Sequence, residues 1–244
     1  MRRSYTRLLD ARSCARIAAE MRTSTGSPAR RWRAITGSAR ARLAGLACVV
    51  PCPSDVRPPL GSLQRMTTFR AEDRIDPPTA SDETATLLGF LNYQRDTLRW
   101  KCAGLTTLEL STPVAPTTLT LGGLLKRLAV VEAGWLNQFF GGGVAKPSWF
   151  DELDQNDPDW SLTSATGTTP EQLFAWFDES IAVSDQVIAD ALDGPHGLAA
   201  LSEGRDDGKR ISLRWIVCHL IEEYARHNGH ADLLRESIDG ATGD

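Results

Sequence analysis

The sequence predicts an all-α protein, a four-helix bundle with long interhelical loops preceded by a disordered basic N-terminal segment. Three observations carry that expectation. Between Ser81 and Gly240, apolar side chains recur every three or four positions in four long stretches, the period of an amphipathic helix. Each stretch opens on a Ser or Thr, and glycines follow the last three. No stretch makes a convincing strand, and residues 1–65 sustain neither period for more than a turn or two.

Residues 1–65 carry 13 arginines and no lysine against Asp10, Glu20 and Asp55, whereas the remaining residues hold 14 basic against 28 acidic side chains. A segment so charged and so poor in apolar periodicity buries no core. Its charge fits a tail gripping nucleic acid or an acidic membrane, and also an organellar transit peptide. The preferred expectation is a start at Met66, the upstream residues being the translation of a GC-rich region. Nucleic-acid binding is not expected, because neither interleaved aromatic residues nor helix-turn-helix spacing accompanies the arginines.

The helical domain is expected over residues 74–240. Ser81 precedes an acidic first turn, Asp82 and Glu83, and the series Leu87, Leu88, Leu91, Tyr93, Leu98 and Trp100, a helix of about twenty residues. Pro113 and Pro116 mark a loop. Thr120 opens the second series, Leu121, Leu124, Leu125, Leu128, Val131, Trp135 and Phe139, closed by Gly141, Gly142 and Gly143. The polar stretch 146–167 contains Trp149, Phe150 and Trp160, so it reads as a long ordered loop packed on the bundle. Thr169 as N-cap and Pro170 at the first helical position start the third helix, through Leu173, Trp176, Phe177, Ile181, Val187, Ile188 and Leu192 to Gly194. Ser212 starts the last, from Leu213 to about Ile238, with Gly240 beyond.

The longest apolar run, Leu43 to Pro53, is about half of what a membrane helix needs, so no membrane partner is expected. Five cysteines without a C-x-x-C pair indicate neither a disulfide framework nor a zinc knuckle and fit a reduced, cytoplasmic protein. The sequence leaves a homodimer open.

Inward faces of a bundle are apolar, so an inward polar cluster must be paired or kept for function. The last helix has one. At about 100° per residue, Glu223, His227 and His230 fall within about 80° of His219. Ile216, Leu220, Leu234 and Ile238, with Trp215 and Leu233 at one edge, overlap and bracket the same sector. Imidazole and carboxylate four residues apart reach a common divalent ion, as in metal sites built in bundle cores. The competing reading is a buried His and Glu bonded to each other and to carbonyls.

The runs RWIVCHLIEEYARHNGHADLLRESIDG (214–240), TLLGFLNYQRDTLRWKCAGL (86–105) and LLKRLAVVEAGWL (124–136) resemble the DinB-like four-helix superfamily, in its branch of mini-circle-type proteins. The resemblance spans about residues 74–240. It implies kinship with bacillithiol S-transferases and mycothiol-dependent maleylpyruvate isomerase, in which zinc activates a small thiol cofactor. The implied ligands are a His on the second helix and a Glu or His four residues before a His on the last. Glu223 and His227 match the last-helix pair. Where the pattern HLAxVExxW carries its histidine, this sequence has Arg127, an always-charged group that cannot ligate zinc. Arg127 is expected to fork onto Glu223 as a buried ion pair in the metal's place, or Glu132 or His230 to complete an altered site.

Two functions follow from the resemblance. One is a metal-dependent transferase or isomerase that uses mycothiol or a similar small thiol on a small electrophile. The other is a non-catalytic stress-response or ligand-binding bundle that has lost its metal site.

Overall fold

The computed structural model describes residues 68–154, 156–157 and 159–243. Residues 1–65, Met66 and the expectations attached to them lie outside the described residues. The described part is helical, as the apolar period predicts, with four long helices joined by long connections that carry short helical turns. None of the described helices is long and apolar enough to cross a membrane.

Helix α1 (Glu83–Cys102) is capped by Asp82, whose carboxylate accepts the Ala85 amide at 2.8 Å, one residue later than Ser81. The acid offers the stronger acceptor to the free first-turn amides. A one-turn helix, α2 (Thr107–Leu110), leads to α3 (Leu121–Glu132), capped by Thr120 as its hydroxyl predicts. Here α3 passes without a break into a π-helix, Ala133–Phe140, closed by the Gly141 amide bonding to the Leu136 carbonyl at 2.9 Å. The apolar spacing predicts the helix but not this wider winding. A second one-turn helix, α4 (Trp160–Thr163), sits in the connection to α5 (Pro170–Asp193), which Thr169 caps with Pro170 at its first position. Finally α6 (Leu213–Asp239) is capped by Ser212 and ends on Gly240 at φ 76°, a left-handed conformation that glycine adopts without penalty.

Side-chain pairs fix the topology. Glu83 meets Arg214 near the starts of α1 and α6, and Lys101 meets Asp232 near their ends, so these helices run parallel. Arg95 bonds to Asp185 and Arg99 to Asp178, so α1 and α5 are antiparallel. Cys102 near the end of α1 reaches the Leu121 carbonyl at the start of α3, while Glu132 pairs with Tyr224 and Trp135 with His219, making α3 antiparallel to both α1 and α6. The order is up, down, down, up.

Consecutive parallel helices need a connection that returns the length of the bundle, which is why residues 141–169 are long. This crossover packs rather than loops out. Trp149 and Phe150 are buried in the common core, and the ammonium of Lys126, 3% exposed on α3, lies 4.1 Å from the Trp160 ring and 4.2 Å from the Trp176 ring. Gly122 admits the close contact at the top of α3, where a Cβ would stand 3.0 Å from the Leu110 carbonyl and 3.1 Å from Leu173. One core joins all four long helices through residues such as Leu98, Leu128, Phe177 and Leu220.

Candidate active site

Four residues of α6 stand one turn apart on a single face: Trp215, His219, Glu223 and His227. They look onto α3. The Trp135 ring meets the His219 ring edge-on at 4.9 Å and the Trp215 ring at 5.6 Å, and the His219 and Trp215 rings stack at 5.1 Å with 19° between their planes. In this antiparallel pair each turn back along α3 is one turn forward along α6. Val131 therefore stands at the level of Glu223, and Arg127 at the level of His227.

The stripe is graded in depth. His219 is buried, the side chains of Glu223 and His227 are 12% and 15% exposed, and His230 is exposed, its ring 5.7 Å from that of His227. Trp215 and Leu233, the edge of the predicted apolar bracket, are open to solvent. The inward stripe is thus the wall of a groove that shallows toward His230.

Glu223 lies between its two histidines. Its Oε1 is 3.8 Å from Nε2 of His219 and its Oε2 is 3.7 Å from Nε2 of His227, distances of ionic attraction rather than direct hydrogen bonds. Burial pushes the Glu223 carboxyl up, but His227, His219 and the charge of Arg127 together hold it below its ordinary range. Burial draws the His219 imidazole down and outweighs the attraction of Glu223 and Glu222, so His219 is neutral at pH 7. The Nδ1 of His227 is buried with no hydrogen-bond partner among the described residues. A basic nitrogen on one side of the ring and a carboxylate on the other is an arrangement that can take up a proton.

Arg127 does not reach the depth the sequence leads one to expect. It is half-buried, and its positive charge acts on Glu223 across the groove. Glu132 is not brought to the stripe: its two oxygens accept from Arg95 Nε at 2.6 Å and Nη2 at 2.8 Å, and Oε1 also accepts the Tyr224 hydroxyl at 3.0 Å. With its lone pairs so engaged and its side chain fully buried, Glu132 offers no oxygen to the groove.

A catalytic zinc takes three protein ligands and keeps one position open. The donors available here stop at the Glu223 carboxylate and the His227 imidazole. His219 is fixed between two indoles on the far side of Glu223, His230 stands at the exposed rim, and Arg127 repels a cation. Among the described residues no group of three His, Cys, Asp or Glu comes together to hold a metal ion. The residues present do not complete the zinc site that the resemblance implies. Among the described residues the buried thiol, that of Cys102, is not a reactive one, since burial pushes it up to about 12.

Sequence reasoning missed the buried polar network beside the groove, which is filled around Arg95 but leaves Oδ2 of Asp178 without a hydrogen-bond partner among the described residues. Arg95, 1% exposed, also donates to Asp185 at 2.7 Å and to Asn92 at 3.0 Å, and Arg99 pairs with Asp96 at 2.7 Å and with Asp178. A signal was present: Arg95 stands four residues after Leu91 and three before Leu98, on the apolar face of α1.

A family model described as mycothiol S-transferase matches residues 86–240, which span all four long helices but for the first turn of α1. No curated protein matches the chain at a significant level.

Proposed function

Because the chain belongs to the mycothiol S-transferase family, we propose that the groove between α3 and α6 joins mycothiol to a small electrophile. The observation that carries this reading is Glu223 held between His219 and His227, with the unpartnered Nδ1 of His227 buried beside it. The thiol proton passes to the His227 imidazole, and the Glu223 carboxylate stabilises the imidazolium so formed. The thiolate then attacks the electrophilic carbon. A carbon–sulfur bond forms as the carbon–halogen bond, the epoxide carbon–oxygen bond or, in an unsaturated carbonyl compound, the carbon–carbon π bond breaks; the halide, the oxygen or the enolate takes the electron pair, and the proton on His227 passes to the oxygen or the enolate, or to solvent when a halide leaves. The Trp215, Trp135 and His219 rings form the apolar end of the groove and exclude water from one side of the reacting atoms.

The test uses the full chain with mycothiol and a panel of aryl halides, epoxides and unsaturated carbonyl compounds, following loss of free thiol against the uncatalysed rate. Catalysed transfer to at least one class, abolished in Glu223→Gln and in His227→Gln, is expected. Elemental analysis of the purified chain tests the finer expectation of a divalent metal, zinc, on Glu223 and His227. One tightly bound zinc per chain would support it and would require a ligand beyond the two described.

Arg127 favours a second reading, a bundle in the cytoplasm that binds a small thiol or another small molecule and has lost the chemistry. Mycothiol binding without transfer to any electrophile, with or without added zinc, would make this the correct one.

A further inference from the structure

We propose that the π-helical end of α3 binds internal water against α5, in a polar pocket built by Asn137 and Ser184. Asn137 is fully buried, yet neither the nitrogen nor the oxygen of its carboxamide has a hydrogen-bond partner among the described residues. The hydroxyl of Ser184, fully buried on α5, is in the same condition. A carboxamide brings two donor hydrogens and an acceptor oxygen, and burying it with none of them used is strongly unfavourable. Folded proteins meet such a need with protein groups or with ordered water.

The register of the two parallel helices brings these residues together. Gly122 meets Leu173 near their starts, Lys126 meets Trp176 one turn on, and at the far end a Cβ built on Gly141 would stand 3.6 Å from Val187. Asn137 lies about one turn before Gly141, and Ser184 about one turn before Val187, so the two share a level. Their neighbours leave room. Ala133, one turn back on the π-helix, and Ser180, one turn back on α5, are small and fully buried. The Ser180 hydroxyl donates to the Trp176 carbonyl at 2.9 Å, so its oxygen can still accept. None of these groups is charged, and together they offer both donors and acceptors, which suits water rather than an ion. Single π-turns recur at functional sites, and this one has two working sides. Trp135 meets His219 on the groove side, while Asn137 turns to α5, so the water stands behind the groove wall.

The experiment uses the full chain in water enriched in oxygen-17, whose magnetic relaxation dispersion counts the waters held long inside a protein. The native chain is expected to hold at least one more such water than Asn137→Leu combined with Ser184→Ala, which removes the polar groups and fills the space with carbon. Equal counts in the two chains would overturn the proposal. Should the combined variant fold poorly by thermal melting, Ser184→Val fills the same space from α5 and is judged by the same difference. A crystal structure of the native chain reads the site directly and needs no variant. Water within hydrogen-bonding distance of both the Asn137 carboxamide and the Ser184 hydroxyl is expected there. A dry contact between the two side chains, or an Asn137 carboxamide bonded to protein groups alone, would equally overturn the proposal. Neither readout involves thiol transfer, so the proposed function can fail while this site stands, and the reverse.

Discussion

The bundle buries two sets of polar side chains that face each other across α3 and α6, and they are built differently. Around Glu132 each contact is short: Arg95 at 2.6 Å and 2.8 Å, Tyr224 at 3.0 Å, with Asp185 closing the far side of the guanidinium at 2.7 Å. Around Glu223 the neighbours stand at 3.7 Å and 3.8 Å, and a ring nitrogen of His227 has no partner among the described residues. A buried charge is tolerated when its hydrogen-bonding capacity is filled, so the first set ties all four long helices together and has nothing left to offer a ligand. The second keeps capacity in reserve. Chemistry belongs where the polar groups are gathered but not used up.

The largest effect expected from breaking this contrast is on the closed set. Glu132→Ala strands the Arg95 guanidinium in the core and should cost about 3 to 5 kcal/mol in urea unfolding, whereas replacing both partners, Arg95→Met with Glu132→Leu, should recover most of the loss. Trp135→Ala should cost a similar amount, about 3 to 5 kcal/mol, because the indole is 2% exposed and supports both His219 and Trp215. A loss under about 1 kcal/mol would mean that α3 does not seat this side chain in the groove wall.

On the open set the order of effects reverses. Glu223→Gln should change stability by no more than about 1 kcal/mol, since neither histidine is within hydrogen-bonding distance and Arg127 reaches solvent, yet it should abolish thiol transfer. Equal losses of stability for Glu223→Gln and Glu132→Ala would erase the distinction.

Acidity sharpens it further. The His219 imidazole titrates below its ordinary 6.5 in the folded chain, so the unfolded chain binds the proton more readily and stability falls as pH drops through and below about 6.5. Glu223, held below its ordinary 4.5, contributes stability above that value and loses it at lower pH, the same direction. His219→Gln should flatten the fall of the stability profile that sets in at about pH 6.5, read from unfolding midpoints. The smallest effect should come from removing residues 1–65, which carry no periodic apolar face; the melting temperature of the shortened chain should move by only a few degrees.

The four long helices were legible because their signals are local. Thr120, Thr169 with Pro170, Ser212 and Gly240 each act on amides or carbonyls within four residues, and the structure uses each of them as a cap. The same locality brought His219, Glu223 and His227 together on paper, since helical spacing alone places them one turn apart. What spacing along one helix cannot supply is depth: the exposure of Trp215 and His230 depends on where α3 stops covering α6. Nor could it foresee that Glu132 would be consumed by Arg95, because that pairing joins residues 37 positions apart in sequence through the antiparallel register of α1 and α3. The π-helical winding of Ala133–Phe140 was hidden for a related reason, as steps of four suit either winding when the facing helix is unknown.

The Lys126 clamp has a dynamic consequence. Its ammonium is held between an indole of the crossover and an indole of α5, and the next residue along α3 is Arg127. Lifting the crossover would take the cation out of its aromatic box and leave a charge in the core without compensation, so this segment should not open on its own. Amide hydrogens of Trp160–Thr163 should then exchange with solvent at the slow rate of α3 rather than at the rate of an exposed connection.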